Sequence, residues 1–184
     1  VSSGAVHKLT LDADIVDGLH RLERCLLARA TAGDVKDYLN ERRSLPCRST
    51  DRAVQVSMTA LEEMLATVLT ETLSCSRAQL LRGRRNNTEP WMRWYKANHV
   101  SEQHSDLTTD STRYSRYSLV ACIRSDGEWL KIGTSSAGVL TSKNSTEYVL
   151  MSGECLIFPS RYEHQPEMTR NTRTILACQF DTWK

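Results

Sequence analysis

No apolar run in these 184 residues approaches the roughly 18 that a helix needs to cross a bilayer, so a transmembrane helix is excluded. Paired cysteines are lacking as well. Cys25, Cys47, Cys75, Cys122, Cys155 and Cys178 lie scattered, without a CxxC spacing or a dense framework, which argues against a disulfide scaffold and predicts free thiols. There is little charge imbalance: the formal net charge is +2 and the pI about 8.3, so no global field demands a polyanionic partner. The local basic run of Arg77, Arg82, Arg84, Arg85, Arg93 and Lys96 carries no nucleic-acid-binding motif and reads as a solvated face, which makes nucleic acid an unfavoured partner. No internal repeat and no low-complexity tract is present. Two sequons, Asn86-Asn87-Thr88 and Asn144-Ser145-Thr146, have no secretory signal ahead of them and carry little weight. A cytoplasmic location is the expectation, although a start at Val1 rather than Met suggests trimming and with it a removed targeting segment.

What the chain has is enough apolar content, 40%, for one core of ordinary size. We expect a single domain over 1–184, with a helical support region over 1–75 and a β core over 76–184. Ile15, Leu19, Leu22, Leu26 and Ala30 recur at spacings of three and four, which predicts a helix from near Asp12 to Gly33. A shorter helix is expected over Asp34 to Arg43, ahead of Pro46. Val54, Met58, Leu61, Leu65 and Val68 mark a third, with Ser49, Thr50 or Asp51 as its cap. Beyond Ser74 the period shortens. Leu80-Leu81, Trp91 to Ala97, Tyr117 to Arg124, Trp129 to Ile132, Val139 to Thr141, Glu147 to Met151, Cys155 to Phe158 and Arg173 to Phe180 read as strands, separated by turn residues such as Ser125-Asp126-Gly127 and Ser152-Gly153. No helical pattern interrupts them after Tyr117. The fold class is therefore α+β, mainly β: an antiparallel sandwich or jelly roll with N-terminal helices packed on one side. Cys122, Cys155 and Cys178 fall inside apolar runs, where a small buried hydrophobe is expected.

The candidate chemistry lies in His104-Ser105-Asp106 and in the stretch Gly153 to His164, followed nine residues later by Arg173. On a strand, His104 and Asp106 would point to the same face. With His164 they make two imidazoles and a carboxylate, a set that can cap one face of a metal ion and leave positions open on Fe(II). Each piece alone is a common accident; their order is what sharpens them.

In that order the chain resembles the Fe(II)- and 2-oxoglutarate-dependent dioxygenases, in particular the prolyl-hydroxylase-like branch. The resemblance runs over roughly Pro90 to Phe180. Met92-Arg93-Trp94-Tyr95 resembles the strand before the HxD motif and Tyr117 to Ile123 the strand after it. Gly153 to Phe158 resembles the strand leading to the distal His, and Arg173-Thr174-Ile175-Leu176 the strand that carries the basic residue. The resemblance implies a double-stranded β-helix, a jelly-roll or cupin-like variant. It implies that His104, Asp106 and His164 ligate iron, that Arg173 pairs with the distal carboxylate of 2-oxoglutarate, and that Tyr95 helps hold this co-substrate. A guanidinium fork suits a carboxylate. Lys131 is the less favoured substitute for Arg173, and His99 a rival ligand or substrate contact. The implied activity is hydroxylation of an unactivated C–H bond of a small molecule or a peptidyl side chain. Oxygen is consumed, 2-oxoglutarate leaves as succinate and CO2, and ascorbate serves as reductant. Substrate choice would fall to Trp94, His99, Arg113, Arg116 and Trp129, the last of which reads equally as plain core. A cupin-like metalloenzyme that does not use 2-oxoglutarate, or a non-catalytic binding module on the same scaffold, are the alternatives. Two departures from the family pattern stand out: Lys96-Ala97-Asn98-His99 replaces a glycine-rich bend, and Gln179 stands where the nucleic-acid demethylases carry a second Arg.

Overall fold

The computed structural model describes residues 4–29, 42–47, 51–82, 90–99, 101–106, 114–133, 139–166 and 171–183. Among these, two helices and ten strands form three layers: helices, a seven-stranded sheet and a three-stranded sheet. The strands are β1 His7–Thr10, β2 Arg42–Pro46, β3 Leu80–Arg82, β4 Trp91–Tyr95, β5 Tyr114–Arg124, β6 Asp126–Gly133, β7 Ser145–Met151, β8 Glu154–Pro159, β9 His164–Pro166 and β10 Arg173–Trp183. The large sheet runs β1-β8-β5-β10-β4-β2, with β3 also on β10, and the small one β7-β6-β9. Every pairing is antiparallel, as the absence of helical crossovers required.

Helix α1 spans Ala13–Arg29 and α2 spans Arg52–Leu73. Ile15, Leu19, Leu22 and Leu26 on α1 and Val54, Met58, Leu61 and Leu65 on α2 are buried, as their spacing predicts; Val68 is half-buried and Ala30 lies outside the described residues. Fully burying one such leucine stabilises the fold by about 1.5–3 kcal/mol, so the apolar stripes decide where the helices sit. Asp51 caps α2, its carboxylate accepting from the Ala53 and Val54 amides at 2.9 and 3.2 Å. Gly18 stands where the helices cross, since a Cβ there would come within 3.0 Å of Met64. The two helices cover one face of the large sheet. Leu176, Cys178 and Phe180 of β10, Leu119, Ala121 and Ile123 of β5, Cys155 and Ile157 of β8 and Met92 and Trp94 of β4 join them in one core. A second core, built from Cys122, Leu156 and Phe158 against Leu130, Ile132 and Leu150, binds the two sheets together.

The structure corrects the sequence reading in several places. The first 75 residues supply β1 and β2 to the large sheet besides their helices. Arg42 and Arg43 belong to β2 and not to a helix; the remainder of the helix expected from Asp34 lies outside the described residues. Val139 to Thr141 is loop, held by the Asn144 side chain, which accepts from the Thr141 amide at 2.6 Å and donates to the Val139 carbonyl. Its apolar Val139 is 76% exposed, which is why no strand forms there. The six cysteines are free, and burial pushes the Cys155 thiol up to about 12, consistent with the inert packing role expected of it.

One polar group joins the helix layer to the sheet. Glu23 of α1, with its side chain 3% exposed, accepts from the Trp94 indole at 3.2 Å and from Arg124 at 3.0 Å. Removing it strands a buried indole N–H, a loss of about 1–3 kcal/mol. We therefore expect Glu23→Ala to lower the unfolding free energy by that amount in urea titration, while Arg24→Ala on the exposed face stays within about 0.5 kcal/mol. Equal midpoints for the two variants would show that the bridge does not tie the layers.

Candidate metal centre

The site begins with a reciprocal pair of backbone hydrogen bonds. The His104 amide donates to the His164 carbonyl at 3.0 Å and the His164 amide to the His104 carbonyl at 2.8 Å, an isolated antiparallel bridge. Two residues on, the Asp106 amide donates to the Ser160 carbonyl at 3.0 Å. The HxD segment is thus a bridged extended stretch outside the named strands, and it delivers both side chains to one place.

The imidazoles of His104 and His164 lie with centroids 4.3 Å apart. Nε2 of each is 3.9 Å from a different oxygen of Asp106, and the ligating atoms of all three fall within 4.8 Å of one another. In both rings Nδ1 faces a backbone carbonyl, that of Glu102 at 3.0 Å and that of Tyr162 at 3.3 Å. A proton on Nδ1 satisfies those carbonyls and turns the Nε2 lone pairs toward the carboxylate. Burial pushes the His164 pKa down against the opposing pull of Asp106, so the ring is neutral at pH 7, the form able to ligate a metal. Asp106 is oriented in turn by the Ser118 hydroxyl at 2.6 Å, which is 2.7 Å from the Ser160 hydroxyl. This donor set can hold a divalent ion.

The three residues open into a cavity of about 130 Å³ between the sheets. Residues of alternate parity on β4 and β10 line it: Trp91, Arg93 and Tyr95 on one, Arg173, Ile175, Ala177 and Gln179 on the other. Arg173 is 6% exposed, opposite Tyr95 in the register, and its guanidinium lies 4.4 Å from the Tyr95 ring centroid. Nearer the metal centre, Arg93 raises the cost of protonating His164.

The remaining expected residues divide. Trp129 lines the cavity and is 47% exposed, so it is wall and not plain core. Trp94 faces away, buried beneath α1 on Glu23, and cannot touch a ligand in the cavity. Arg116 is locked to Asp181 at 2.7 Å and does not line the cavity. His99 packs on Tyr95 with centroids 5.2 Å apart, outside the ligand cluster. Lys131 pairs with Glu147 at 3.5 Å, away from the cavity lining. Arg113 lies outside the described residues. Sequence reasoning missed Ser118, for which no signal existed, and the cavity-facing role of Arg93, which the two-residue spacing from Tyr95 would have given.

No protein-family model and no curated protein matches the chain. Solved structures do. A Pseudomonas putida prolyl-4-hydroxylase superposes with a TM-score of 0.61 at 15% identity, covering 100% of this chain and 95% of that one. EvdO2 from Micromonospora carbonacea var. aurantiaca, in complex with 2-oxoglutarate, gives 0.64 at 12% identity, covering 98% and 87%. A Trichoplax adhaerens prolyl hydroxylase, in complex with a hypoxia inducible factor peptide fragment, gives 0.61 at 10%, covering 98% and 84%. At such identities it is the fold that is shared, and the chain has the fold of the 2-oxoglutarate/Fe(II) oxygenases.

Proposed function

We propose that the chain is an Fe(II)- and 2-oxoglutarate-dependent dioxygenase, hydroxylating an unactivated C–H bond of a small molecule or a peptidyl side chain with release of succinate and CO2. The observation that carries this reading is the convergence of His104, Asp106 and His164 in one cavity with a buried guanidinium, Arg173. Two imidazole nitrogens and one carboxylate fit Fe(II), and a cation sunk among apolar walls fits the far end of a dicarboxylate. A cupin-like enzyme without 2-oxoglutarate would have no use for that cation.

When bound, iron with 2-oxoglutarate and oxygen supplies the oxidant that converts C–H to C–OH, with ascorbate keeping the metal reduced. The protein does the positioning. His104, Asp106 and His164 hold the ion, and the Glu102 and Tyr162 carbonyls and the Ser118 hydroxyl keep those ligands aimed. Arg173 takes the distal carboxylate in a charge-assisted pair, and the Tyr95 ring fixes the plane of the fork. Val120, Cys122, Leu130, Leu150 and Ile175 keep water away from the reacting centre. The neighbours support both substrate classes, since one is bound to a peptide fragment and another is a carbocyclase from nogalamycin biosynthesis. The volume of the cavity favours a small molecule or a single inserted side chain.

Two assays test this reading. In calorimetry with Mn(II), His164→Ala is expected to abolish metal binding, and Ser118→Ala to weaken it about tenfold by releasing the Asp106 carboxylate. With Fe(II) and ascorbate, slow substrate-free succinate release is expected from the wild type and lost in His164→Ala. In Arg173→Ala the apparent affinity for 2-oxoglutarate falls by about 10–100-fold. A wild-type chain that neither turns over nor binds 2-oxoglutarate with Mn(II) would move the assignment to the cupin-like or binding alternatives.

A further inference from the structure

We infer that Arg93 is a substrate-anchoring residue, and that the substrate is an organic acid whose single carboxylate pairs with it beside the metal centre. The inference rests on the proposed function and adds to it the chemical class of the substrate. Arg93 shares the cavity-lining face of β4 with Trp91 and Tyr95, and stands opposite Ile175 while Tyr95 stands opposite Arg173. One two-residue step of a strand, about 7 Å, therefore separates the two arginine positions along the sheet. The two guanidiniums can therefore serve two carboxylates.

Two other strand arginines are already engaged. Arg116 is held by Asp181 and Arg124 by Glu23. Arg93 has no such carboxylate among the described residues, and its Nε is buried with no hydrogen-bond acceptor. A buried guanidinium donor without an acceptor costs stability, and an arrangement of that kind persists where a ligand supplies the missing oxygen. The charges in the cavity agree. A divalent ion and a dianionic co-substrate cancel, and Asp106, the sole acid of the lining among the described residues, offsets one of the two guanidiniums. One positive charge is left, which a monoanion neutralises; a phosphate dianion would overshoot. Trp91 and Trp129 on the lining offer an apolar body of such an acid two aromatic surfaces.

The test uses the full chain loaded with Mn(II) and 2-oxoglutarate, titrated calorimetrically with acetate, hexanoate and phenylacetate and with hexanamide and phenylacetamide. At least one acid is expected to bind the wild type and to bind Arg93→Gln about 10–100-fold more weakly, with Arg93→Lys between them. The amides are expected not to distinguish the variants, and 2-oxoglutarate affinity to stay unchanged in Arg93→Gln. Acids that bind Arg93→Gln as well as the wild type, or none that binds the wild type, would overturn the inference. So would a loss of 2-oxoglutarate binding in Arg93→Gln matching that in Arg173→Ala, since Arg93 would then serve the co-substrate. Failure of the underlying reading looks different: the wild type itself takes up no 2-oxoglutarate. The acid titrations of wild type and Arg93→Gln then still decide whether Arg93 is an anion site.

Discussion

Two backbone hydrogen bonds between His104 and His164 set the geometry on which the site depends. They join a short stretch outside any strand to the start of β9, and they leave the two side chains as near neighbours, with ring centroids 4.3 Å apart. A directly opposed, doubly hydrogen-bonded antiparallel pair holds two residues distant in sequence at about 5.5 Å between Cα atoms. Asp106 follows from the same bridge, since its amide is fixed to Ser160, four residues before His164. The three candidate ligands are thus positioned by main chain. Side-chain packing is left to tune their rotation, through two carbonyls and one serine.

The bridge needs a rigid support, and the helix layer supplies it. The large sheet has to present one face to α1 and α2 and the other to the cavity, so β4, β5, β8 and β10 all carry large residues on both faces. Along β4 the division is residue by residue: Met92 and Trp94 toward the helices, Trp91, Arg93 and Tyr95 toward the cavity. A slip of β4 by one position would turn Arg93 away from the cavity and take Tyr95 from its place opposite Arg173. The Glu23 bridge to Trp94 and Arg124 opposes such a slip, because it ties β4 and β5 to the same carboxylate of α1. A buried carboxylate is costly to desolvate. Here it specifies register in a layer whose leucines would tolerate several.

How much of this the sequence disclosed depended on whether a residue's role is periodic or relational. The stripes of α1 and α2 were legible because burial repeats every three or four residues, and β5, β8 and β10 because their apolar runs are long. Val139 to Thr141 misled because β-branched composition is only half of a strand; the other half is a partner and burial, and Val139 has neither. Arg42–Pro46 was missed because two arginines and a proline speak against a strand, yet as an edge strand on β4 it can carry them. His104, Asp106, His164 and Arg173 were legible as an ordered motif. Ser118 was not, since a serine in a strand announces nothing until its hydroxyl is seen 2.6 Å from a carboxylate. Trp94 went wrong by one step of parity: with Tyr95 assigned to the cavity, strand alternation turns Trp94 away and brings Arg93 in.

The bend after β4 takes up a left-handed backbone position without a glycine. The family resemblance places glycines there, and this chain has Lys96-Ala97-Asn98-His99. Asn98 adopts φ +64°, the left-handed conformation a glycine would supply, and the His99 amide closes the turn on the Lys96 carbonyl. Asparagine is among the few residues that take this conformation at small cost. Exchanging glycine for it puts a side chain at the bend and stiffens the chain, and His99 can then stack on Tyr95, the residue that braces Arg173. The bend and the Arg173 end of the cavity become mechanically connected. A left-handed position in this chain is therefore met by an asparagine, and the side chain that follows it is put to use against Tyr95.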